Sequence, residues 1–400
     1  MAKRVLLVNK FYYPRGGDCI VVLNTESLLR ENGVEAQVFA MSYPQNLPAH
    51  YQDLFASRVN FDGKMCHQWR GLKRTLGLGD VKERFEAVLD DFKPDVVHMH
   101  NIHSYLSPVV GELAHKRGIR VVWTLHDFKM LCPRYDCLLK GKPCEKCFNG
   151  SKFNAVTHKC MKGTLRASAV AWLEAMKWNR NRLEKNTDMF ICPSQFIAEK
   201  MTVGGFDPNK IKVLNNFLDP VKLNHYKGID HTADRKDYYC FVGRLSPEKG
   251  VEDLLEVASR LPYPLKVAGT GILEPAMRLK YSQCKNIEFL GMLDASQVAH
   301  LLSNARLSVM PSQCYENNPL SVVESLCAGT PVAGSDNGGI PELIDSTNGF
   351  VFQPFDQEAL STAITASMSQ EWNHKAIAHA ALDRFSPEMH LEILNEEIYG

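Results

Sequence analysis

The sequence predicts an α/β protein built from two doubly wound parallel sheets. Three observations carry this. Short apolar, β-branched runs alternate with helical patterns along the chain, and continuous apolar strands belong to parallel sheets covered on both faces. The runs fall into two series, parted by a polar stretch near 215–236 that has little periodicity. The length, 400 residues, exceeds one core at roughly 150 residues per domain. Two such series make two Rossmann-like domains.

In the first series the expected strands are 5–9, 36–40, 96–100, 121–125 and 189–192. In the second they are 239–242, 265–268, 287–290, 307–310, 331–334 and 350–352. The expected domains are 1–215, carrying a cysteine-rich insertion at 131–162, and 216–386. A last helical segment, 387–400, is expected to pack back on the first domain. No internal repeat or low-complexity tract is evident. Doubly wound sheets bind ligands at the carboxyl ends of their strands, so the cleft between two such domains is the expected site.

Hydrophobic residues at 45% and charged residues at 23% exclude a disordered or fibrous chain. The apolar core of residues 1–9 is too short for a signal peptide, and no run reaches the ~20 apolar residues of a membrane span. A cytoplasmic protein is expected. The net charge of +1 hides an asymmetry. Residues 1–190 hold 29 Lys+Arg against 19 Asp+Glu, and 191–400 hold 17 against 26. The basic first half suits an anionic partner, a membrane surface or a lipid diphosphate; a solvated pattern with no partner is the alternative.

The strongest motif runs from Tyr315 to Glu324 and continues into Ala328-Gly329-Thr330-Pro331-Val332. Pro319 suits a first helical turn, which leaves Glu316 on the preceding loop and Glu324 inside the helix. Backbone amides at such a helix start can cradle phosphate, and an interior carboxylate can accept bonds from ribose hydroxyls. A second motif is Phe241-Val242-Gly243-Arg244 followed by Lys249. Glycine admits a ligand close to the backbone, and two cations suit a leaving diphosphate whose charge grows in the transition state. Alone, each motif also reads as ordinary surface charge. In the first half, Gly16-Gly17 opens a helix after the first strand. His98, His100 and His126 end strands, where a structural histidine is the commoner occupant; His126 stands out because Asp127 follows it.

Together these residues resemble glycosyltransferase family 4, the retaining group of GT-B architecture, over nearly the whole chain. Glu316 to Glu324 is similar to that family's two-glutamate donor motif, and Gly243-Arg244 with Lys249 to its phosphate clamp. Gly269-Thr270-Gly271, Phe289-Leu290-Gly291 and Gly338-Gly339-Ile340-Pro341-Glu342 match its second-domain landmarks, and Gly16-Gly17 its first-domain glycine loop. The resemblance implies a nucleotide-sugar donor, UDP- or GDP-linked. Arg244 and Lys249 would hold the donor diphosphate, Glu324 the ribose, and Glu316 the hydroxyls of the transferred sugar. His126 would sit by the reacting carbon. Asn318, Pro319 and Leu320 would offer backbone amides. It implies retention without a catalytic metal or cofactor, and a glycan or polyprenyl-diphosphate-linked acceptor in bacterial surface polysaccharide synthesis. The family loop is Gly-rich where this chain has Asn317-Asn318, which leaves the sugar open.

Cys132, Cys144, Cys147 and Cys160 are spaced C-x11-C-x2-C-x12-C, with Cys137 and His158 close by. This spacing fits a structural zinc knuckle; reduced buried thiols and redox activity are the alternatives. The segment from Leu131 through Cys147 also resembles a bacterial subgroup of the family with a cysteine-rich insertion. Residues 162–185 read as one basic helix, and 69–74 are similar, so both can lie on an anionic bilayer or simply pack on the domain. Two other functions use related features. A nucleotide-sugar 2-epimerase shares the architecture but lacks the two-glutamate spacing and the clamp together. A zinc-dependent nucleic-acid module would need a basic second half, and this one is acidic, so no nucleic acid is expected.

Overall fold

The computed structural model describes residues 2–61, 65–231 and 233–400, the side chains of 65–68 excepted. The chain forms two compact units. One comprises 1–139, 144–215 and 390–400; the other comprises 140–143 and 216–389.

The first unit is organised by a parallel sheet of β1 (Arg4–Val8), β2 (Glu35–Phe39), β3 (Val96–Met99), β4 (Arg120–Thr124), β7 (Met189–Cys192) and β8 (Ile211–Val213), in the order β2-β1-β3-β4-β7-β8. β5 (Leu138–Leu139) and β6 (Lys142–Pro143) are two-residue strands in the cysteine-rich segment. β1 and β3 are almost wholly buried; β1 carries the Val-Leu-Leu-Val run this requires, and β3 carries Val96, Val97 and Met99 with His98 among them. Short β8 is half-buried at a sheet edge, with Lys212 in its centre, so it lacks the apolar run that reveals a strand.

The second unit holds β9 (Lys236–Val242), β10 (Leu265–Ala268), β11 (Ile287–Gly291), β12 (Ala305–Met310), β13 (Val332–Ser335) and β14 (Gly349–Phe352), all parallel, in the order β11-β10-β9-β12-β13-β14. In each sheet the chain steps out from one central strand and then reverses. The reversal falls between β1 and β3 in the first and between β9 and β12 in the second. Loops leaving two strands at such a switch point diverge to opposite faces and open a crevice.

Two expected elements differ. Residues 162–185 are not one helix: Leu165–Lys177 ends at Trp178, and Arg180–Lys185 starts afresh with the Asn179 side chain capping Arg182 N. The break is set by Trp178, which is buried and donates its indole N–H to Thr75 O at 2.8 Å. In the helix Met65–Thr75, Arg74 is not a solvated charge: it is buried and paired with Asp80 at 2.5 Å. Among the described residues no helix is long and apolar enough to cross a membrane. The final residues are the helix Pro387–Ile393 and a π-helical turn, Leu394–Ile398. Within the first unit, Arg120 Nε donates to Ile398 O at 2.6 Å and Tyr399 OH meets His98 Nδ1 at 2.7 Å.

Candidate active site

In the second unit the switch point gathers both motifs. Gly243 and Arg244 follow β9, and the loop to Glu316 follows β12. Lys249 and Glu316 form an ion pair there, and Ser312 Oγ donates to the same carboxylate oxygen at 2.6 Å. Burial disfavours both charges, yet each stabilises the other by more. The Lys249 ammonium is therefore held above its ordinary pKa and the Glu316 carboxyl below its own. An ammonium carries three donors, and Glu316 engages one of them.

The backbone makes this approach possible. Gly250 has φ +68°, and a Cβ there would stand 1.9 Å from Pro311 O. Gly338 has φ +67°, pairs with Glu316 as an isolated parallel bridge, and would bring a Cβ to 2.3 Å from Glu316 O. Only glycine meets both demands. Arg244 lies beside this pair but turns outward, 65% exposed, and is held by Glu248 at 2.8 Å. Sequence reasoning treated Arg244 and Lys249 as equivalent cations. The structure gives them different partners, one in solvent and one within the fold.

The helix Leu320–Cys327 starts where expected, with Pro319 as its N-cap. Glu324 lies within it, 8% exposed, and binds Lys222 Nζ at 2.5 Å. Asn318 is buried; its Oδ1 accepts from Asn216 N at 2.9 Å, and its carbonyl from Asn216 Nδ2 at 3.0 Å. Among the described residues the Asn318 Nδ2 has no hydrogen-bond partner. A buried donor left so is costly. Pro319 and Leu320 follow it at the helix start.

In the first unit, Gly16 is the extended N-cap of the helix Gly17–Glu31, and nothing stands within 4 Å of where a Gly17 Cβ would be. Beside it Asp18 accepts from Asn101 Nδ2 at 2.7 Å and pairs with Lys10 at 3.6 Å. His126 follows β4, and its Nε2 meets His100 Nδ1 at 3.0 Å. Behind them His98 stacks on His100 at 4.3 Å and is pinned by Thr124 Oγ1 at 2.7 Å. Burial lowers His126 to about 4 despite the Asp18 carboxylate, and burial with neighbouring imidazoles lowers His98 to about 3. Both rings are neutral at pH 7. Sequence reasoning noticed these strand-end histidines but not their contact. Nothing in the sequence signals Lys222, Ser312, Asn216 or Asp18.

These histidines make stability pH-dependent. Their folded pKa values lie below the unfolded value, so the unfolded chain binds more protons between pH 6.5 and about 4. Stability is full above pH 6.5 and is lost on acidification through that window. A group held to about 4 contributes up to ~3 kcal/mol of this loss. The thermal midpoint is expected to fall steeply from pH 6.5 to 4; replacing by Gln the buried His390, whose Nδ1 meets Asn215 O at 3.1 Å and whose pKa burial lowers to about 4, is expected to flatten the fall. An unchanged slope in that variant would refute the assignment.

The structure lends the expected zinc knuckle no support. Among the described residues no group of three or more His, Cys, Asp or Glu is arranged to hold a metal ion. Cys132, Cys144, Cys147 and Cys160 do line one cavity, together with Cys137 and His158. Spacing along the chain brings thiols near one another without fixing their sulfur atoms at tetrahedral corners.

Residues 16–222 match the family model described as Glycosyltransferase Family 4, and residues 226–384 that of Glycosyl transferases group 1. The chain belongs to glycosyltransferase family 4. Another protein similar to this family 4 chain is an uncharacterised glycosyltransferase of Methanocaldococcus jannaschii, 28% identical over 383 residues, 93% of this chain and 90% of that one. An uncharacterised protein from the cps region of Klebsiella pneumoniae is 27% identical over 268 residues, 66% of this chain and 63% of its own length. An Anabaena protein solved with UDP and glucose superposes with a TM-score of 0.63 at 16% identity, covering 98% of both chains. That likeness concerns the fold alone, which is GT-B: two parallel-sheet, Rossmann-like domains.

Proposed function

We propose that this family 4 chain transfers a sugar from a nucleotide-sugar donor to a glycan or lipid-linked acceptor, with retention at the anomeric carbon. The observation that carries the reading is the Lys249–Glu316 pair beside Arg244 at the switch point of the second sheet. In this reading Lys249 and Arg244 neutralise the diphosphate as it departs, and Glu316 both orients Lys249 and receives sugar hydroxyls. Glu324 takes the ribose hydroxyls. Asn318 Nδ2 donates to a donor oxygen and so gains its missing partner. The acceptor hydroxyl attacks on the face the diphosphate leaves, and the leaving phosphate takes its proton. His126 supplies a neutral imidazole beside the sugar, a donor or acceptor that adds no charge. UDP is the first nucleotide to test, because a structural neighbour was solved with UDP and glucose. The cps-region relative is consistent with a role in surface polysaccharide synthesis.

A thermal-shift series with UDP-, GDP- and ADP-sugars tests the donor class, and linkage analysis of the product tests retention. Failure of every nucleotide-sugar to raise the midpoint at millimolar concentration would sink the proposal. Arg244→Ala is expected to keep the wild-type midpoint, since its side chain is mostly in solvent, and to lower kcat by about 10²-fold, the usual effect of removing one transition-state charge donor. An unchanged kcat would remove Arg244 from the site.

A further inference from the structure

The loop that leaves β12 carries two side chains with no part in the transfer chemistry above, Ser312 and Cys314. Ser312 is fully buried, where a hydroxyl needs a hydrogen-bond partner. Its Oγ donates to Glu316 Oε1 at 2.6 Å, the length of a charge-assisted O–H···O⁻ bond. The Cys314 thiol, a weak donor, reaches the same oxygen at 3.8 Å. Lys249 Nζ is bonded to it as well. Donors from two loops thus meet on Oε1, and every hydrogen bond to this carboxylate among the described residues ends there.

Ser312 is itself held. Its carbonyl accepts from Ser335 Oγ at 2.7 Å, at the end of β13, and from Asn337 Nδ2 at 3.3 Å, just beyond it. The next residue, Gln313, donates its N–H to Glu248 O at 2.9 Å and its Nε2 to Asp253 Oδ2 at 2.6 Å. Gly339 N donates to Glu316 O at 2.6 Å, which fixes the glutamate main chain. A free carboxylate turns easily about its last torsion. Donors converging on one oxygen from a fixed frame remove that freedom, as a preorganised site requires.

We propose that Ser312 is a positioning residue for sugar transfer, which with Lys249 holds Glu316 by Oε1 so that Oε2 receives the sugar hydroxyls of the donor. Cys314 is a weaker third tether. The proposal rests on the transfer reading, in which Glu316 receives those hydroxyls; Ser312 touches no substrate and acts through Glu316. The tether also affects charge. Burial opposes the Glu316 carboxylate, and Lys249, Ser312 and Cys314 favour it. The other charged group at this point, Arg244, is engaged by Glu248, and the loop after β13 brings the backbone of Gly338 and Gly339. Removing the hydroxyl therefore raises the Glu316 pKa, and the acid limb of the rate profile moves to higher pH.

The test compares full-length wild type with Ser312→Ala and Cys314→Ala. The first readout is the midpoint rise given by the nucleotide-sugar that the thermal-shift series selects, measured against its bare nucleoside diphosphate. The second is kcat/KM across pH. Ser312→Ala is expected to bind the bare diphosphate as wild type does, to lose most of the extra rise that the sugar gives, and to lower kcat/KM about 10–100-fold, the worth of one hydrogen bond to a charged group. Its acid limb is expected at higher pH than the wild-type limb. Cys314→Ala is expected to do the same to a much smaller degree. A merely structural role for Ser312 would lower the ligand-free midpoint and leave the sugar increment and the acid limb in place, and that result would overturn the proposal while the transfer reading stood. No sugar increment in wild type would end both. If Ser312→Ala does not fold, Ser312→Cys keeps a similar shape with a much weaker donor and carries the same expectations.

Discussion

Glu316→Gln is expected to lower kcat/KM for transfer by about 10²–10³-fold, the range of a lost electrostatic contact in the transition state. Glutamine keeps the shape and removes the charge. Lys249 then loses the carboxylate that opposes its burial, and its pKa shifts down. The variant fails twice, because the sugar contact is weakened and the phosphate cation is less fully charged. Breaking a buried pair from one side costs about 3–5 kcal/mol, less here because both side chains retain some exposure at 21% and 13%. A fall of several degrees in thermal midpoint therefore accompanies the kinetic loss. The double variant Lys249→Met/Glu316→Leu separates the two effects: it should regain stability, since no charge is stranded, and remain inactive. Activity near wild type in either protein would show that the pair is structural only.

Glu324→Ala acts differently. Its carboxylate binds Lys222 and in our reading also the donor ribose. Losing a hydrogen bond to a charged group is worth about 1.5–3 kcal/mol, so the donor KM is expected to rise about 10–100-fold, with a smaller change in kcat. Lys222→Ala is the control. Lys222 touches Glu324 but has no proposed donor contact, so it should raise KM by much less. Equal effects from both would mean that Glu324 serves the helix and not the donor. A KM unchanged in Glu324→Ala would remove it from the site.

Much of the fold was legible because strands buried on both faces write themselves as apolar runs. The runs at 189–192 and 265–268 coincide with β7 and β10, and most others agree within a residue or two. β8 was missed because an edge strand needs no such run. The helix start at Pro319 was legible because proline fixes the backbone of a first turn. The break at Trp178 was not, because it depends on a carbonyl of Thr75 far away in sequence.

By itself, the sequence determined most of the buried strands and which loops carry glycine, cation and carboxylate. Those are local matters of periodicity, backbone freedom and residue chemistry. Only the tertiary structure decided the pairings. Lys249 meets Glu316, Lys222 meets Glu324, and His98 meets Tyr399. Hydrogen bonds and ion pairs act over a few ångströms, and strand order in the sheet sets which loops come that close.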